Sequence, residues 1–209
     1  MHESTDLTLR ERSKLDKRRR IEEAAREVFA ECGFHKATTR EIAKRAGVGV
    51  ATLFVYAPDK AQLLAAMFKS ELERLSALSG SIPTDGTVVT QLIRFLRPRY
   101  EVFGRDARLS RTAMLNNFGR SMESANTDQA LPVIWRALYD GIRDIVRRNQ
   151  TYGLITSEAN TDLAAEAILC IYLTHVQFWI AQREPNVEHG LSALAALLEM
   201  ICKPLEPKK

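Results

Sequence analysis

Between residues 14 and 76, apolar side chains recur at helical spacing in successive bursts separated by turn residues. Ile21, Ala24, Ala25, Val28, Phe29 and Cys32 fall at i, i+3, i+4, i+7, i+8 and i+11, which predicts an amphipathic helix from about Lys14. Gly33 is placed to end it as a left-handed cap. Thr38 followed by Glu41 makes a capping box for a second helix, whose apolar face is Ile42, Ala43 and Ala46 and whose end is Gly47. A third, short helix is expected over Val50–Tyr56, closed by Ala57-Pro58. Asp59, with Gln62 three residues on, then caps a long fourth helix carrying Leu63, Leu64, Met67, Phe68, Leu72 and Leu75 on one face.

Residues 79–87, SGSIPTDGT, are the richest in turn formers, and we place the boundary between two regions there. Helical patterns follow near 88–104, 107–122, 131–152, 161–183 and 187–202, with Pro98 expected to kink the first and Asn186 to cap the last. No segment sustains period-two alternation, so the expected fold class is all-α. The chain divides into a mobile arm (1–13), a head (14–60) and a helical body (61–209), with the fourth helix linking head to body. Leu163–Ala181 holds 15 apolar residues in 19, near the signal of a membrane span. Glu166, His175 and Gln177 interrupt it and four of the apolar positions are alanine, so a buried helix of a soluble bundle is expected, with no membrane partner.

Charge changes this picture. The net charge is +4, and residues 1–70 hold 14 Lys and Arg against 10 Asp and Glu, while residues 71–209 hold 16 of each. All of the excess lies in the head, which suits a polyanion-binding surface on a neutral body. On charge alone, a solvated basic helix fits as well. Cys32, Cys170 and Cys202 are far apart and each falls within an apolar pattern, which argues against a disulfide framework or zinc site. The first residues, MHESTDLTLRERSKLDKRRR, contain no apolar run of the secretory kind, so the reducing cytoplasm is the expected compartment. There is no Ser-His-Asp arrangement, no Gly-rich phosphate loop and no His/Cys cluster at metal spacing; no enzymatic activity, metal or cofactor is expected.

A helix, a turn through Gly47-Val48-Gly49 and a short helix have the spacing of a helix-turn-helix, although a plain helical hairpin shares it. The residue order separates the two. Arg18, Ile21, Ala24, Ala25 and Phe29 are followed by Gly33-Phe34, then Thr38-Thr39-Arg40-Glu41-Ile42-Ala43 and Ala46-Gly47-Val48. Thr52-Leu53, Tyr56 and Lys60 with Leu63-Leu64 complete the run. This order, without a gap over roughly 50 residues, resembles the N-terminal domain of the TetR (tetracycline repressor-like) transcriptional regulators.

The resemblance implies a DNA-binding head of three helices and assigns roles residue by residue. Thr38, Thr39 and Arg40 would meet a phosphate at the start of the second helix, with Thr38 mainly its cap. Val50, Ala51, Thr52 and Val55 would face base edges, their small side chains suiting thymine methyls, while Leu53 turns inward. Phe54, Tyr56, Lys60 and Arg18 would lie along the phosphate backbone. Lys14, Lys17, Arg19 and Arg20 belong to the same basic cluster, which a solvated arm would explain equally. Departures from the family pattern are Phe54 for tyrosine, Ala57 for a bulky aromatic and Gly49 for a serine cap.

The resemblance further implies a homodimer, joined through the last two helices of each subunit, and a body that encloses a small-molecule effector. Leu194, Leu197, Leu198 and Ile201 are the candidate dimer residues. Phe103, Met114, Phe118, Trp135, Tyr139, Tyr172, His175 and Trp179 are the candidate pocket residues, although such a stripe is as readily plain core. The expected function is a sequence-specific regulator of an operator in double-stranded DNA, a repressor released by its effector. A DNA-binding dimer without an effector, acting constitutively or through a protein partner, satisfies the same residues.

Overall fold

A computed structural model of the chain describes residues 8–76, 82–123 and 133–207, and the side chains of all of these except 73, 76, 116–123 and 133–134. Among the described residues every regular element is helical: α1 (Leu9–Lys36), α2 (Thr39–Arg45), α3 (Val50–Tyr56), α4 (Lys60–Ser76), α5 (Val88–Arg105), α6 (Ala107–Glu123), α7 (Val133–Thr151), α8 (Thr161–Ala181) and α9 (Val187–Cys202). A 3-10 turn, Lys203–Leu205, follows α9. Packing separates the chain into Met1–Lys69 and Ser70–Lys209, so the division runs within α4, ahead of the 79–87 loop, whose first residues lie outside the described set.

In the first unit α1–α3 close around Ile21, Ala25, Val28, Phe29, Ile42, Ala43 and Leu53, each 2% exposed or less. Two details of α1 differ from expectation. Its helix begins at Leu9, so residues 9–13, read as part of a mobile arm, form its first turns. The cause is a second capping box: the Thr8 hydroxyl accepts from the Glu11 N–H while the Glu11 carboxylate accepts from the Thr8 N–H. At its other end Gly33 does break the helix (φ 77°), but helical turns resume to Lys36. Cys32, expected on the apolar face, is exposed, as is Cys170; only Cys202 is buried.

In the second unit α5, α7, α8 and α9 pack around Leu92, Phe95, Tyr100, Ile142, Ile145, Ile168, Tyr172, Trp179, Leu194 and Leu198. Thr87, Asn160 and Asn186 cap α5, α8 and α9 through their side chains, giving each helix a defined start. Pro98 sits inside α5 without dividing it. The core carries one buried amide pair: the Gln91 side-chain N–H donates to Asn149 Oδ1 (3.1 Å) and the Asn149 N–H to Gln91 Oε1 (2.9 Å). A mutually satisfied pair of this kind ties α5 to α7 in one register. Among the described residues α8 is the one helix long and apolar enough to cross a membrane; one of its faces packs along α7 and α9.

Candidate nucleic-acid interface

The turn between α2 and α3 determines which face of α3 looks outward. Gly47 has φ +64°, its N–H bonds Lys44 O (3.2 Å), and the Val48 N–H bonds Ala43 O (3.0 Å). That is a Schellman end, and a side chain at Gly47 would be strained in it. α3 then leaves at an angle that buries one residue, Leu53, completely. Its other positions face water: Val50 is 37%, Phe54 44% and Val55 88% exposed, with Ala51 and Thr52 also exposed. Three large apolar side chains so open are unusual for a short helix that could have been buried, and they form the outer surface of α3. Gly49 provides no side-chain cap, as its identity requires. Beside it the α2 start presents Thr38, capping the Glu41 N–H at 3.1 Å, with Arg40 exposed and Thr39 half-buried.

The remaining backbone candidates are turned toward the protein. The Tyr56 hydroxyl donates to the Glu22 carboxylate, which the Arg18 guanidinium also contacts (3.0 Å) while lying over the Tyr56 ring (5.7 Å). Burial, and then the bond to Glu22, push the Tyr56 phenol above its usual range, so it is a permanent donor. Lys60 donates to the carbonyls of His35 (3.0 Å) and Ala37 (3.1 Å) and lies 4.7 Å from the Phe34 ring centre. Its ammonium therefore closes the end of α1, where the chain turns into α2, and as arranged here it does not face outward. Arg19 pairs with Asp16 and Glu23, and Arg20 with Asp16. The Tyr56 and Lys60 contacts are long-range in sequence, whereas Arg18–Glu22, Arg19–Glu23 and Arg20–Asp16 at i, i+4 and Arg19–Asp16 at i, i+3 are pairs that helical spacing signals.

In the body, Phe103, Tyr172 and Trp179 are buried, Met114, Trp135, Tyr139 and His175 are half-buried, and Phe118 lies outside the described side chains. Tyr100, absent from the candidates, links three of these features: its ring centre is 4.6 Å from that of Trp179 and 6.2 Å from that of Tyr172, and its hydroxyl lies 2.6 Å from His175 Nδ1. Burial holds His175 below its ordinary value and raises the Tyr172 phenol to about 12, so both are neutral at pH 7. Because the folded value of His175 is depressed, the unfolded chain takes up a proton there first. The His175 contribution to stability is complete above pH 6.5 and is lost as pH falls below it. Thermal melts should show the body losing stability between pH 7 and 5.5, and His175→Gln should flatten that slope.

Of the dimer candidates, Leu194 and Leu198 are 0% exposed within their own chain, packed into its core. Leu197 is 40% exposed and Ile201 half-buried. The apolar side chains that do face outward are Leu163 (63%) and Phe178 (73%) on α8 and Met200 (74%) on α9. An apolar pattern running round both helices could not say which face was the inner one.

The arrangement of α1–α3, with a turn-braced helix exposed at the edge of a basic trihelical head, defines a helix-turn-helix DNA-binding protein. Residues 21–67 match the model of the bacterial regulatory proteins of the tetR family. It is 28% identical over 199 residues to the fatty acid metabolism regulator protein of Bacillus subtilis, a match spanning 94% of this chain and 100% of that one. It is 25% identical to the transcriptional regulator UidR of Escherichia coli K12 over 85% of this chain and 90% of that one. Among solved structures it resembles Thermus thermophilus FadR, a TetR-family repressor in complex with lauroyl-CoA, at 24% identity and a TM-score of 0.62, covering 87% of this chain and 92% of that one.

Proposed function

We propose that this chain is a homodimeric transcriptional repressor of the bacterial cytoplasm that reads its operator with the exposed face of α3 and leaves it on binding a small amphipathic effector. The observation that carries the reading is α3 itself: Leu53 anchors it while Val50, Ala51, Thr52 and Val55 stand free at the surface. Small, mostly apolar side chains on such a face select thymine methyls. One helix of seven residues reads too few base pairs to be selective. Pairing of two heads a helical turn apart on DNA supplies the rest.

The second unit is the effector-binding and dimerisation domain. Acyl-CoA thioesters are the first effectors to try, since the Bacillus subtilis relative is named for fatty acid metabolism and Thermus thermophilus FadR was solved with lauroyl-CoA. α4 runs through the division between the units, so a change at its body end reaches the head through continuous helix. A coupling of about 1–3 kcal/mol is enough to weaken operator binding tens-fold.

The experiment begins by selecting genomic fragments bound by the purified protein and defining the site. Thr52→Ala and Val55→Ala should then change the preferred bases at one position of each half-site, by about 1–3 kcal/mol of discrimination, leaving binding to unrelated DNA unaltered. Lauroyl-CoA should raise the unfolding temperature and release the DNA. Unchanged base preference in both variants would remove α3 from the reading role.

A further inference from the structure

The structure describes a projection that the head's own packing does not explain. No residue of α1 from Leu9 to Arg20 is buried, and the first that is buried is Ile21. These turns extend about 18 Å of helix beyond the three-helix core, at about 1.5 Å per residue. The projection is stabilised locally, by the Thr8/Glu11 capping box and by the pairs Arg19–Asp16, Arg19–Glu23 and Arg20–Asp16. Those pairs leave a particular remainder. Arg10, Lys14 and Lys17 have no partner among the described residues, and they fall at i, i+4 and i+7, within an arc of about 60°. The acidic residues Asp16 and Glu23 lie well round the helix from that arc.

The same three cations line one groove, of about 720 Å³, whose opposite wall is Thr52, Val55 and Tyr56 of α3. The groove floor is Ile21 and Arg18, the latter fixed by Glu22. We infer that this groove is a track for one sugar–phosphate strand of the operator: Arg10, Lys14 and Lys17 contact successive phosphates while Thr52 and Val55 face the bases beside it. Charge complementarity commits the occupant. The open cations are on one wall, and the base-facing residues of the proposed reading helix form the other, so a strand whose bases meet α3 passes between them. Phosphate contacts of this kind position the head and carry no base preference.

The inference rests on the proposed DNA-binding function, and the experiment separates the two. Operator and scrambled-duplex affinities of the full-length protein are measured by fluorescence anisotropy across a range of salt concentrations. The comparison is wild type, the triple variant Arg10→Ala/Lys14→Ala/Lys17→Ala, and Arg19→Ala, whose guanidinium is already paired. Each lost phosphate contact shortens the slope of log affinity against log salt by about 0.9. The change is present in both heads of the dimer, so the triple variant should lose about 5 from the slope, weaken on operator and scrambled duplex alike, and keep the wild-type ratio between them. Arg19→Ala should keep the wild-type slope. Circular dichroism checks that α1 remains helical, and Lys14→Gln/Lys17→Gln, which nearly keeps the side-chain length, should lose about 4 from the slope of the dimer if alanine disturbs the helix. A wild-type slope in the triple variant, or an equal loss per charge in Arg19→Ala, overturns the track. A wild-type protein with no salt-dependent DNA binding overturns the proposed function itself.

Discussion

Phe178→Glu combined with Met200→Glu should leave the chain folded and monomeric, with operator affinity lower by about 10²- to 10⁴-fold. Both side chains are almost three-quarters exposed in the single chain, so charging them removes little that stabilises the isolated subunit. With Leu163, Leu197 and the exposed Ala193 and Ala196 they make an apolar strip over the outer faces of α8 and α9. A strip of this kind, on the two helices through which the resemblance implies pairing, is the proposed dimer surface. In a two-fold interface each substitution would occur twice, placing four carboxylates where apolar contact is needed. Each would have to lose water or push the helices apart. Without the dimer, the second head binds as an independent molecule, and the affinity of a tethered pair is lost. Sedimentation velocity reads the assembly and anisotropy reads the binding. A dimer that persists with wild-type affinity would place the pairing surface elsewhere.

The residues that misled and those that guided differ in the range over which their physics acts. α5 to α9 lie close to where periodicity placed them, because an apolar face and a cap act within a few residues: Thr87, Asn160 and Asn186 each bind an amide two or three positions on. The resemblance, together with the spacing within α3, assigns Leu53 to the core and Val50, Ala51, Thr52 and Val55 to the surface. The start of α1 is not legible from periodicity although Thr8 and Glu11 carry a capping-box pattern, because the apolar residues before Ile21, Leu9 and Leu15, are six apart and form no helical stripe. Long-range contacts were beyond reach. The Tyr56–Glu22 bond joins positions 34 apart and Gln91–Asn149 positions 58 apart, and neither can be inferred from a polar residue's type. The dimer candidates show the same limit in another form: Leu194 and Leu197 are equally apolar, and only the packing of α9 on α5 and α8 puts one inside and the other at the surface.

Gly190 is where that packing is tightest, and Gly190→Ala should unfold the body most readily of any single methyl addition to α9. Trp179 lies against the first turn of α9, its indole N–H donating to the Asn186 carbonyl at 2.8 Å. A β-carbon at 190 would sit 2.6 Å from both Cδ1 and Nε1 of that ring and 3.0 Å from Cε1 of Tyr100. None of these atoms is the loose end of a flexible chain: the indole is 1% exposed and Tyr100 is 0% exposed. Relief therefore requires the ring to leave its rotamer or α9 to move away from α5 and α8, at about 1–3 kcal/mol for the overpacking. If the indole shifts, its bond to Asn186 goes too, adding about 1 kcal/mol. The Tyr100–His175 contact is displaced in the same step. A total near 2–4 kcal/mol lowers the unfolding temperature on the order of 10 °C. In a Trp135→Phe background the fluorescence of Trp179 alone should shift to the red as its ring becomes wetted. The pairing of clash and partner is testable by a cycle: Trp179→Phe destabilises by itself, but in the Gly190→Ala chain the smaller ring should return part of the loss, a coupling that two unrelated defects would not show. A Gly190→Ala protein with an unaltered urea midpoint would mean that α9 and the indole are packed less closely than their distances imply.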